Sequence, residues 1–204
     1  MKKLYFITLL LLASSASGFA GKDNLCSWTA ITTKTQLSPR WDVGTYNEGR
    51  FNDSGFDQMF FRQYAAYKPC RGLQLKMNTD IAFVSSGFSL RFIPEAMYTY
   101  KSGDWSLSLR QRILWSWKKP TDKWSMWYRT RGMVTYRIPG TSVSPLLAVE
   151  PFYRDILGRV RYYAGFKVPA SENTSLMIQY MRQDFTGGRA DDNVFWVTWS
   201  VNLF

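Results

Sequence analysis

Residues 105–117 read W-S-L-S-L-R-Q-R-I-L-W-S-W, a strict alternation of two kinds of side chain. One set is Trp105, Leu107, Leu109, Gln111, Ile113, Trp115 and Trp117; the other includes Ser106, Ser108, Arg110, Arg112 and Ser116. A period of two places the sets on opposite faces of a β-strand. Ordinary strands have about 5–6 residues, and this stretch has thirteen. From Trp105 to Trp115 the chain rises roughly 33 Å at about 3.3 Å per residue. Tilted by about 40°, that covers the roughly 25 Å lipid-facing band of an outer-membrane barrel, with tryptophans at the height of its aromatic girdles.

The same pattern extends in both directions. Trp41, Val43 and Phe51 oppose Asp42, Tyr46, Glu48 and Arg50, and after an NDSG turn a segment at 57–67 carries Arg62. KPCRG leads into 73–83, where Gln74, Lys76, Asn78 and Asp80 oppose Leu73, Leu75, Met77, Ile81 and Phe83. The segment 88–100 contains Pro94 and Glu95. KKPTDK turns the chain into 124–138, with Arg129, Arg131 and Arg137 opposite Tyr128, Val134, Tyr136 and Ile138. Glu150 lies within 145–154, and Arg159 and Arg161 face away from Val160, Tyr162, Ala164, Phe166 and Val168. Segments 174–185 and 193–204 finish the chain. No linker or low-complexity tract divides this array, which reads as one domain.

Lys2 and Lys3, the apolar run Leu4–Ala13 and the small-x-small end Gly18-Phe19-Ala20 predict a signal peptide over 1–20. The run is too short for a membrane helix, which needs about 20 residues. The barrel domain is then 21–204. Loss of two lysines and no acid takes the formal charge from +11 to +9. In an exported chain without a Lys/Arg run, that surplus points to anionic lipid or solute and not to nucleic acid.

Alternation alone also fits a soluble barrel or sandwich, apolar face inward, binding an anionic or apolar ligand. Strand length, tryptophans at strand ends and a final alternating strand ending on Phe204 favour the inverted arrangement. The expected fold is all-β: a closed, antiparallel, up-and-down transmembrane barrel in the outer membrane of a Gram-negative-type envelope. Trp41, Trp105, Trp115, Trp117, Trp124, Tyr128 and Trp199 are its expected girdle.

Several short motifs occur in order: Trp28, Glu48-x-Arg50, Pro94-Glu95, Pro145 followed by Glu150, and R-x-R-x-Y-A-G-F at 159–166. With the closing aromatic strand they resemble an uncharacterised outer-membrane family, domain of unknown function 2490. That resemblance implies a barrel and supplies no activity or ligand. The terminal aromatic Phe204, although on the polar parity, resembles the signal read by the barrel-assembly machinery, an expected partner alongside outer-membrane lipid.

Eleven segments conflict with the even strand number of bacterial barrels. Two cysteines in an exported chain suggest a disulfide, which requires Cys26 and Cys70 at one end of the barrel. The poorly alternating 26–37 would then not cross, leaving ten strands; twelve is the alternative, and two unpaired thiols the competing state.

Zero histidines remove the proton relay of Ser-His hydrolases and any His-ligated metal. No cofactor or enzymatic activity is expected, and Asp191-Asp192 reads as a solvated loop. The inward parity collects Glu48, Arg50, Arg62, Asp80, Glu95, Arg110, Arg112, Arg129, Arg131, Arg137, Glu150, Arg159 and Arg161, with more bases than acids. The leading reading is a charge network that plugs or nearly plugs the lumen. The alternative is a narrow pore favouring small anions.

Overall fold

The computed structural model describes residues 23–84 and 87–203. The predicted signal peptide and Phe204 lie outside them. Eleven strands run in chain order: β1 (Asn24–Ser38), β2 (Trp41–Asn52), β3 (Gly55–Cys70), β4 (Leu73–Val84), β5 (Gly87–Ser102), β6 (Trp105–Lys119), β7 (Lys123–Tyr136), β8 (Ser144–Tyr153), β9 (Leu157–Pro169), β10 (Thr174–Phe185) and β11 (Asp192–Asn202). Each pairs antiparallel with the next, and β1 closes the barrel on β11.

Among the described residues the strands number eleven, neither ten nor twelve. The segment at 26–37 does cross, as part of the fifteen-residue β1. An odd number of hairpin-linked strands leaves the first and last pointing the same way, so β1 and β11 pair in parallel, from Asn24↔Asp192 to Lys34↔Asn202. β1 therefore starts at one rim, the N-terminal rim, and β11 ends at the other, the C-terminal rim.

The crossing strand also overturns the disulfide. Cys26 lies near the start of β1, beside Ser27, whose partner Phe51 is next to the β2–β3 turn at the N-terminal rim. Cys70 ends β3 at the C-terminal rim. Fourteen or so strand residues separate their levels, on the order of 40 Å, whereas a disulfide tolerates about 7 Å between Cα atoms. Both cysteines are free.

Facial polarity is inverted relative to a soluble barrel. On β6, Trp105, Leu107, Leu109 and Trp115 are exposed on the outside, while Arg110, Leu114 and Ser116 are buried in the lumen. The outer wall thus carries continuous exposed apolar surface, the reverse of a soluble barrel. The girdle residues all lie on the outer parity. Trp41, Trp105 and Trp199 are toward the C-terminal rim, Trp115, Trp117 and Trp124 toward the other, and Tyr128, opposite Ile113, nearer mid-height. Cross-strand ring pairs fasten them: Trp41–Tyr67 at 4.9 Å, Trp105–Tyr136 at 4.6 Å, and Phe92 stacked on Trp115 at 5.9 Å. Such pairs contribute about 0.5–1.5 kcal/mol each beyond burial.

Two local features shape the wall. A Cβ on the buried Gly165 would come within 2.3 Å of the Ile178 carbonyl oxygen, so the close approach of β9 and β10 requires glycine there. Pro151 interrupts the β7–β8 ladder, which has pairs at Arg129↔Phe152 and Gly132↔Val149 with none between. Proline has no N–H to donate at that point.

Candidate functional site: the charged lumen

Strand register builds the lumen. In a sheet, residues directly opposite one another have Cβ atoms about 4.5–5.5 Å apart, so cross-strand rows decide which charges meet. One row is Arg62, Asp80 and Arg91 on β3, β4 and β5. Arg62 Nη2 and Arg91 Nη2 each donate to Asp80 Oδ2 at 2.7 Å. A second row is Lys76, Glu95, Arg112 and Arg129. Arg112 pairs with Glu95, and the Lys76 ammonium lies 4.3 Å from the Tyr64 ring centroid.

The register also sets Arg110 directly opposite Arg131, and Arg112 opposite Arg129. Such like-charge pairs destabilise a sheet unless acids offset them. Glu150 on β8 takes one arginine from each pair. Arg110 Nη2 and Arg129 Nη2 donate to its Oε1 at 2.8 and 3.0 Å, and the Tyr163 hydroxyl donates to Oε2 at 2.6 Å. Glu150 is only 1% exposed. Breaking a buried pair of this kind costs about 3–5 kcal/mol, because the remaining charge keeps its desolvation penalty.

Nearer the N-terminal rim, Glu48 accepts from Arg50 Nε at 2.6 Å and from the Tyr46 hydroxyl. Lys68 pairs with Asp42 at 2.7 Å toward the C-terminal rim. Between the charges sit apolar lumen residues: Phe60, Ile93, Phe152 and Met181 are each no more than 2% exposed.

Arginine faces rest on aromatic rings. The Arg50 guanidinium carbon lies 3.7 Å from the Trp28 ring centroid, Arg159 4.2 Å and Arg161 4.6 Å from that of Phe152. Gly158 makes room for this layer, since a Cβ there would meet the Trp127 ring at 2.7 Å. Arg161 Nε donates to the Gln183 side-chain oxygen at 2.5 Å. Among the described residues, Lys76, Arg131, Arg159 and Arg161 make no ion pair. Where this layer faces the N-terminal rim, a cavity of about 200 Å³ remains.

Every charged residue expected in the lumen lies on the inner face except Arg137. It falls beyond the end of β7, with its side chain 75% exposed and 3.5 Å from Asp104. Because β7 stops at Tyr136, strand parity no longer sets the direction of Arg137. Tyr46 holds the inner parity expected of it, whereas Arg91, Lys68 and Tyr163 are not among the residues expected in the lumen, although Arg91 is in phase with Glu95 and Tyr163 with Arg161. On the outer face, Arg182 joins Asp23, Asp184 and Asp191 at 3.2, 2.7 and 2.8 Å, a rim cluster that periodicity does not announce. Among the described residues no group of three His, Cys, Asp or Glu side chains could hold a metal ion.

Wall and lumen together define a closed barrel with an apolar exterior and a charged interior. The chain belongs to the family described as "Protein of unknown function (DUF2490)", whose model matches residues 26–194. Two solved structures share the fold. A structure titled "KdgM porin" superposes with a TM-score of 0.52 at 12% identity, covering 76% of this chain and 81% of its own. One titled "NanC porin structure in rhombohedral crystal form" gives 0.53 at 12% identity, covering 83% and 93%. At that identity the likeness is one of fold. No curated protein matches the chain.

Proposed function

We propose that this protein is a non-enzymatic, porin-like barrel of the outer membrane whose lumen is held shut at mid-height by its own charge network. The observation that carries this reading is Glu150, a buried carboxylate shared by two guanidiniums and a phenol. Phe60, Ile93, Phe152 and Met181 are buried on the same inner face and help fill the interior. Small barrels are filled by side chains, and only much wider ones leave a broad aqueous channel. The apolar exterior and the export signal expected at 1–20 support the location, and β11, ending before Phe204, is the proposed contact for the assembly machinery.

Single-channel recording of the purified protein in a planar bilayer tests the closure. Long silent periods with rare openings are expected; steady ohmic conductance would overturn it. Cell fractionation tests the location, and recovery in the soluble periplasmic fraction would overturn the membrane assignment.

A second reading is a narrow pore favouring small anions, which rests on the inward Lys76, Arg131, Arg159 and Arg161 that make no ion pair among the described residues. An unpaired basic lining selects anions, so its signature is a reversal potential displaced toward chloride in a salt gradient.

A further inference from the structure

Three arginines at the N-terminal end of the lumen rest their guanidinium faces on aromatic rings. Arg50 lies between Trp28 and Phe60, with its guanidinium carbon 3.7 and 4.3 Å from the ring centroids. Arg159 rests on Phe152 at 4.2 Å, with Trp127 at 5.6 Å. Arg161 shares Phe152 at 4.6 Å and Trp28 at 5.1 Å. A guanidinium stacked on a ring keeps its N–H donors in its own plane, directed past the ring edge. Stacking therefore fixes orientation without consuming donors.

Protein acceptors consume few of them. Glu48 takes Arg50 Nε, and Gln183 takes Arg161 Nε. Arg159 has no ion pair among the described residues, and its Nε is buried without an acceptor. All three line the cavity of about 200 Å³, together with Asn24, Asn52 and Gln58. That volume is below the roughly 300–1,000 Å³ of pockets for drug-sized ligands, so an occupant has only a handful of heavy atoms. Arginines from β2 and β9 that approach one small space from different walls suit an anion with more than two oxygens.

We propose that this cavity binds a small tetrahedral oxyanion, phosphate or sulfate, with Arg159 as its main contact. The site goes beyond the closed-barrel reading and holds whether or not the lumen conducts. Acids nearby set its affinity. Asp192 is engaged by Asn24 at 3.0 Å and Gln183 at 2.6 Å. Asp53 and Asp57 also line the cavity without an ion pair among the described residues, and they oppose an incoming anion.

The test is isothermal titration of the folded protein in detergent micelles with inorganic phosphate, sulfate and, for comparison, acetate. Saturable 1:1 binding of phosphate or sulfate, stronger than that of acetate, is expected. Arg159→Gln should weaken it by at least about tenfold, the loss of a charge-assisted contact. Arg159→Lys keeps the charge without the planar fork and should weaken it less; it also serves if Arg159→Gln does not fold, judged by heat-dependent gel mobility. Replacing Asp53 and Asp57 by Asn should tighten binding. The proposal is overturned by no saturable phosphate or sulfate binding, by acetate binding as well as either, by unchanged affinity in folded Arg159 variants, or by weaker binding in the Asn double variant.

Discussion

Tyr163 gives its hydroxyl hydrogen to Oε2 of Glu150 at 2.6 Å, leaving the other carboxylate oxygen to guanidiniums. The two residues sit on adjacent strands near the gap in the β7–β8 ladder at Pro151. This hydrogen bond thus ties the side chain of β8 to β9, where β8 is least held by β7.

Replacing Glu150 by Gln preserves size and removes the charge that Arg110 and Arg129 share. Stability should fall by about 3–5 kcal/mol for a dry site, read as a lower temperature for the folded-to-unfolded gel shift. Tyr163→Phe removes one hydrogen bond to a charged acceptor and should cost about 1.5–3 kcal/mol. If Glu150→Gln left stability unchanged and shifted the reversal potential, the lumen would be a water-filled pore.

An arginine at Ile113, on the outer face midway along β6, should destabilise the barrel by about 2–4 kcal/mol in lipid. Ser108→Arg, on the inner face of the same strand, should cost much less. Urea titration in liposomes compares them, and equal costs would contradict the lipid-facing assignment.

Non-reducing mass spectrometry after maleimide treatment should show two labels per chain. The exposed Cys70 should react before the half-buried Cys26. A mobility change on adding reductant would contradict the separation of the two thiols across the barrel.

Gly165→Ala should destabilise by about 1–3 kcal/mol through overpacking, because its Cβ would press on the β10 backbone. The same denaturation midpoint as wild type would show that β9 and β10 can part there.

The R-x-R-x-Y-A-G-F run shows why much of this was legible in sequence. Arg159, Arg161 and Tyr163 share the inner parity, and Gly165 follows on it where the strands crowd. Long alternation therefore revealed both the barrel and its charged face. β1 was obscured because threonines occupy both of its parities: Thr32 faces in with Trp28, while Thr29 and Thr33 share the outer parity with Ile31. Without a clear period, a crossing strand resembled a lead-in. Arg137 was misplaced because parity does not register a strand's end. The Glu150 contacts depend on register across three strands, which a single sequence does not contain.

The parallel seam sets Asp23 and Leu203 at opposite rims of the barrel. With the barrel in the outer membrane as proposed, a protease supplied outside the cell is expected to reach one of these two rims and not the other. The seam also brings together distant parts of the chain: Asn24 bonds to Asp192 across 168 positions, so closing it carries a large loop-closure cost and is expected late in folding.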